Sequence, residues 1–265
     1  MKSLEKMIGI LDLFEGAEME WSPDAMAERL DLTRSTLYRY LKVLADAGLL
    51  TSLPGVGYTL GPRIAALDFH MRHSDPLITA SRPVMKDLVA DCPGIALLCR
   101  RYRGLVLCVH QEASLGVSFR SAYERGSTRP LLRGAASRII LAHMPVPFLR
   151  KFYGATQHDF ALAGLGGDFD AVRAHLRVIR QRGVAVTKGE LAPGVTGVGA
   201  PIFDSKGGIL GSLSVTIGES ELAPERLAFV VDRVSQGARI VSKAIAREPL
   251  AVGEPEKARE AGGPS

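Results

Sequence analysis

The chain has 265 residues, 46% hydrophobic and 23% charged, and a formal net charge of +5; this is a globular balance that leaves room for two ordinary domains. No apolar run is long enough to span a bilayer and no signal-peptide pattern opens the chain, so a cytoplasmic location is expected. Cys92, Cys99 and Cys108 form no CxxC pair, which argues for reduced, buried thiols and against a disulfide framework or a structural zinc site.

In chain order, Leu4, Met7, Ile8, Leu11 and Phe14 recur every three or four residues and predict an amphipathic first helix that ends at Gly16. Ser22-Pro23-Asp24 supplies an N-cap, a proline at the first helical position and an early acid, so a short second helix runs through Met26, Ala27 and Leu30. After a tight connection, Thr33 caps a third helix. Its apolar positions Leu37, Tyr40, Leu41 and Leu44 fall on one side, with Ser35, Arg39, Lys42 and Asp46 opposite, flanked by Thr36 and Tyr38. Gly48 suits a C-cap. Two β-prone runs, Leu49 to Ser52 and Tyr58 to Leu60, are separated by Pro54-Gly55-Val56-Gly57 and form a hairpin, or wing.

Two helices, a capped basic helix and a hairpin within sixty residues follow the winged helix-turn-helix order. Charge supports this locally, not globally. Residues 1–74 carry 8 Lys/Arg against 10 Asp/Glu, yet Thr33 to Ala45 contains Arg34, Arg39 and Lys42 and no acid. A helix that enters the major groove needs such a surface, with short hydroxyls and arginine reaching base edges and phosphates. Thr33, Arg34, Ser35, Thr36, Tyr38, Arg39 and Lys42 are therefore the candidate contacts to double-stranded DNA.

Gly61-Pro62 ends the hairpin, and residues 62–76 read as a linker helix with Ile64, Leu67 and Met71 on one face. A helix from Leu77 to Ala90 follows. Next come β-rich runs Ile95 to Arg101 and Leu105 to Glu112, turning at Arg103-Gly104, and a third candidate strand from Val117 to Ala122. Helices are expected near Ala135–Ala142, Pro147–Tyr153 and Phe169–Arg182, strands near Val198–Phe203 and Ile209–Ile217, and a closing helix over Pro224–Arg247. This order gives an α+β domain over 77–247 with helices flanking an antiparallel sheet. The Gly-, Pro-, Glu- and Ala-rich stretch 248–265 is expected to be disordered.

Several separated motifs resemble the IclR family of bacterial transcriptional regulators. At the N-terminus they are Ser3-Leu4-Glu5-Lys6, Leu32 through Arg39, Leu41 through Leu49, and Tyr58 through Arg63. Further on they are Arg129-Pro130-Leu131, Arg182-Gly183-Val184-Ala185, Gly189-Glu190, Gly194-Val195, Ala200-Pro201-Ile202-Phe203-Asp204 and Leu213-Ser214-Val215. The resemblance implies a GAF-like domain for a small organic acid effector, no cofactor, and a homodimer or dimer of dimers on operator DNA. Carried over by motif, the effector positions are Gly134, Ala135, Thr187, Gly197, Ser214 and Thr216. Residues near a helix start offer N–H groups to an anion, and Ser214 and Thr216 lie two apart on one strand face. The chain departs from the family at Leu132 to Arg138, where members often carry His-Ala-Thr-Ala-Ser-Gly-Lys. It also departs at Thr187 (an acid in some) and Gly197 (cysteine in some). Arg133 is added as a candidate partner for a ligand carboxylate.

Two other classes compete. An enzyme acting on a small organic acid would need a nucleophile elbow, a phosphate loop or a metal set, and none is present as a motif. Its single candidates, His110, His143, Cys108, Ser137 and Glu190, have structural readings, Glu190 as the holder of a loop through backbone hydrogen bonds. His70 and His73, one turn apart, have no further ligand segment. A non-specific architectural DNA binder would leave the large second domain without a task.

Overall fold

The computed structural model describes residues 3–16, 18–117, 119 and 124–247. It falls into two units that divide after Asp75.

The first unit starts with α1 (Ser3–Asp12), continued by a 3-10 turn over Leu13–Glu15. In α2 (Pro23–Leu30) the N-cap Ser22 accepts a hydrogen bond from Ala25 N–H at 3.2 Å, so one orphan donor of the first turn is satisfied. The same logic starts α3 (Arg34–Asp46) at Thr33, whose hydroxyl accepts from Thr36 N–H. Its end is a Schellman motif, with Gly48 in a left-handed conformation donating to Ala45 O and Leu49 donating to Leu44 O. That turn feeds β1 (Leu50–Leu53), which pairs antiparallel with β2 (Gly57–Leu60), and Tyr58 also bridges to Trp21. Ile10, Met26, Leu37, Leu41 and Leu44 make the core of this unit. In α4 (Pro62–Ser74) no residue is buried.

The second unit is a six-stranded antiparallel sheet covered on both faces. Its elements are α5 (Pro76–Asp91), β3 (Ile95–Tyr102), β4 (Leu105–Ala113), β5 (Thr128–Pro130), α6 (Ala135–Ala142), α7 (Val146–Leu162), α8 (Phe169–Arg182), β6 (Ala185–Lys188), β7 (Val195–Phe203), β8 (Ile209–Gly218) and α9 (Pro224–Arg247). The strand order is β5-β4-β3-β8-β7-β6. Side chains alternate between the faces. Ala96, Leu98, Val198, Ala200, Ile202, Leu213, Val215 and Ile217 point toward α5 and α9, while Ile95, Leu97, Cys99, Cys108 and Ala185 share a core with α6, α7 and α8. All three cysteines are free and buried.

The predicted α+β architecture, with its antiparallel sheet flanked by helices, is the one found. The differences are local. Short strands β5 and β6 were not expected, and α7 extends nine residues past Tyr153, across a non-helical Thr156 (φ −139°). The expected strand from Val117 to Ala122 falls mostly outside the described residues, as does the stretch 248–265.

Candidate functional site

Two places in the molecule collect polar groups. On α3, the four residues facing the core of the first unit are buried, and Thr33, Arg34, Ser35, Tyr38, Arg39 and Lys42 are exposed, with Thr36 half-buried. Thr33, Ser35 and Thr36 form a hydroxyl cluster at the helix start, with oxygens 3.0 to 3.3 Å apart. The Arg39 guanidinium lies over the Tyr40 ring at 5.5 Å, which orders it along the helix. Arg34 is engaged by Asp24 of α2 at 2.8 Å, both side chains largely exposed. Such a pair is screened by solvent and carries little stability; its consequence is that a phosphate must compete with Asp24 for Arg34. Among the predicted contacts, Ser35, Tyr38, Arg39 and Lys42 therefore stand freest on the outward face. Val43 is also exposed there, an apolar residue that the helical pattern did not single out.

The second place is a cavity between the start of α6 and the sheet. It exists because the α6-facing side of β6, β7 and β8 is built of small residues. Gly197 and Gly199 alternate with Val198 and Ala200, and Ser212, Ser214 and Thr216 alternate with Leu213 and Val215. A side chain at Gly199 would put its Cβ 2.9 Å from Ala135 O, and one at Gly197 would meet Thr187 Oγ1 at 3.2 Å, so the glycines allow the α6 backbone to approach the strand. Register places Gly197 beside Thr216 and Thr187. Ala135, Thr187, Gly197, Ser214 and Thr216 all line the cavity, together with Leu97, Glu190 and Leu191. Gly134 sits at its rim as the N-cap of α6, against the Leu191 side chain. Arg133 is exposed and not among the lining residues. The cavity is small, about 30 Å³, room for roughly one water where metabolite pockets run to several hundred Å³.

Glu190, one of the lining residues, is paired with Arg138, which lines a neighbouring cavity with His175, and sequence reasoning did not join the two. Arg138 Nη2 contacts Glu190 Oε1 at 2.9 Å, and Glu190 Oε2 accepts a hydrogen bond from Gly134 N–H at 2.9 Å. Arg138 also donates to Ala163 O at 2.7 Å. Burial pulls the Arg138 guanidinium below its ordinary pKa, Glu190 opposes that, and Arg133 adds to it. Close by, His175 is pushed below the usual imidazole value by burial and then by Arg138. The single clue in the sequence was Glu190 as a loop holder, and the carboxylate does bind backbone. Arg138 carried no local signal, being one arginine on a helix fifty residues away.

Most of the remaining reactive candidates are held by local contacts, Cys108 Sγ by His110 O at 3.4 Å among them. His110 pairs with Glu112 at 3.0 Å, His143 bonds Ile139 O at 2.9 Å and packs on Phe203, and Ser137 and Cys108 are buried in the α6-side core region. Among the described residues no group of three His, Cys, Asp or Glu is placed to hold a metal, and no helix is long and apolar enough to cross a membrane.

Comparison with known proteins puts these two places in context. Residues 69–243 match the model of the bacterial transcriptional regulator IclR C-terminal domain, and residues 3–54 match the IclR helix-turn-helix domain. The HTH-type transcriptional regulator BhcR of Paracoccus denitrificans is 27% identical over 244 residues, 91% of this chain and 86% of that protein. Among solved structures, a putative IclR transcriptional regulator from Silicibacter sp. TM1040 superposes with a TM-score of 0.79 at 21% identity, covering 92% of this chain and 96% of the other. An IclR homolog from Microbacterium hydrocarbonoxydans, complexed with 4-hydroxybenzoate, gives a TM-score of 0.75 at 17% identity, covering 93% and 100%.

Proposed function

The chain belongs to the IclR family of bacterial transcriptional regulators, and on that footing we propose that it reads operator DNA through α3 and changes its grip when a small organic acid fills the cavity under α6. The observation that carries the reading is the pairing of a capped, outward-facing α3, free of acids up to Ala45, with a separate cavity lined by Ala135, Thr187, Gly197, Ser214 and Thr216. In this reading Ser35, Tyr38 and Arg39 reach base edges in the major groove, and Thr33, Arg34, Thr36 and Lys42 position the helix on the phosphates. The organic-acid class rests on the N–H groups at the start of α6 and on the 4-hydroxybenzoate bound by the Microbacterium homolog.

The working unit in this proposal is a homodimer, or a dimer of dimers, in the cytoplasm. Helix α4 supports it: Leu67, Phe69 and Met71 are 51%, 53% and 44% exposed, apolar area that a second copy would cover. Residues 62–76 act as the linker between the DNA-binding domain (1–61) and the effector domain (77–247). Two half-sites on DNA tolerate only a narrow spacing, about one helical turn or a multiple. An acid that alters the separation of the two α3 helices therefore alters affinity, and DNA must shift acid affinity by the same factor. No catalytic step is assigned.

Footprinting on the region upstream of the protein's own gene tests this. Protection of two half-sites centred about one turn apart, or a multiple of it, is expected; uniform, sequence-independent protection would refute the operator reading.

A further inference from the structure

We propose that Arg138 and the Gly134 N–H form the seat for the effector's carboxylate, and that Glu190 holds this seat until a ligand exchanges one carboxylate for another. The inference rests on the reading of the cavity as an effector site and assigns the group that receives the acid.

Glu190 is arranged as a bound carboxylate ligand would be. One oxygen accepts from a backbone N–H at the start of α6, and the other meets a guanidinium, both at 2.9 Å. It reaches the seat from the connection between β6 and β7, and its neighbour Leu191 lies against Gly134 as a roof. Together these two side chains take up the space that a ligand would need, which explains why so little volume remains.

A second group in the cavity points to a ligand. The Ser214 side-chain oxygen is buried, its residue 3% exposed, lines the cavity with Glu190 and has no hydrogen-bond partner among the described residues. A desolvated hydroxyl without a partner is costly, and a ligand oxygen would relieve it. The same cavity is lined by Leu97, Ala135 and Val195, which are apolar. The fitting ligand is a short monocarboxylate with an apolar body and an oxygen substituent at its far end.

The exchange must be anion for anion. Arg138 is largely buried, with a side-chain exposure of 14%, and a buried guanidinium stripped of its counter-ion is strongly unfavourable. A neutral amide of the same shape would leave Arg138 unpaired, so it should not displace Glu190. Arg133, exposed nearby, adds positive potential without entering the seat.

Chemical rescue tests the seat in the full-length protein, with acetate and acetamide as probes in calorimetry and thermal shift. Glu190→Ala empties the position, so acetate should bind it about tenfold more tightly than it binds the wild type, the scale of one charge-assisted hydrogen bond. Acetamide should show no gain, and adding Arg138→Gln should abolish the acetate gain. Equal acetate binding by wild type and Glu190→Ala, or a gain that survives loss of Arg138, overturns the proposal. If Glu190→Ala does not fold, Glu190→Gln keeps an acceptor for Gly134 N–H and must show the same ordering; its absence there also overturns it. An organic acid that shifts wild-type operator binding while acetate fails in both variants would sink the seat and leave the effector reading standing.

Discussion

Helices α3 and α6 each carry function at their beginning, in opposite surroundings. Helix α3 caps itself with Thr33 and turns its polar residues outward. Helix α6 starts at Gly134 without a side-chain cap of its own, is almost wholly buried, and has its first N–H satisfied by Glu190 from another element. A surface that reads an external partner can be made by one contiguous segment whose few constraints are local. The cavity takes residues from α6, four strands and the connection between β6 and β7, and what each position can hold is set by its neighbours.

The sharpest way to break the comparison is on α3. The Ser35→Ala/Arg39→Ala double variant should lose roughly a hundredfold in operator affinity, since each base or phosphate contact is worth about 1–3 kcal/mol, while acid binding by the second unit is unchanged. Gel shift with calorimetry checks both; unaltered DNA affinity would mean that α3 is an ordinary surface helix. Next in size is a pair of valine-scale changes. Gly199→Val forces a side chain onto Ala135 O and should cost about 1–3 kcal/mol in urea unfolding. Val43→Ala on the outward face of α3 should stay within about 0.5 kcal/mol. Equal effects would deny that α6 is packed tightly onto β7.

The contrast also explains what was legible in the sequence. The caps Ser22 and Thr33, the apolar spacing of α3 and the two long central strands are local signals, and they placed their elements within a few residues. Strand β6 is four residues whose strand character comes from pairing with β7, and β5 contains Pro130, which reads as a turn yet is tolerated at a sheet edge. Of the cavity, the positions Ala135, Thr187, Gly197, Ser214 and Thr216 were carried by family motifs, and the structure brings them together. The contact of Arg138 with Glu190 was not legible, because nothing local links two residues so far apart. Arg133 drew attention as the nearest cation to the motif, but its side chain is on the outside.

Smaller effects sharpen the picture. Thr33→Ala should remove about 1 kcal/mol from the first unit, read as a lower melting temperature, by leaving the Thr36 N–H without its cap; no change would mean that the cap is dispensable. Smallest are two charge changes at exposed positions, each expected to move an affinity by about twofold or less. Arg133→Ala should barely alter carboxylate binding in calorimetry, and a large loss would return that arginine to the cavity. Asp24→Asn should slightly raise operator affinity at low salt by releasing Arg34, and a fall would show that the pair itself positions α3.

The coupling of the two sites is tested most directly by fluorescence anisotropy of a labelled promoter fragment against a scrambled duplex at fixed salt, with and without a series of short monocarboxylates. The account predicts preference for the promoter, a shift of at least about fivefold with one of the acids, and an equal reciprocal shift of that acid's affinity when DNA is present. Equal binding of both duplexes, indifferent to every acid, would contradict it.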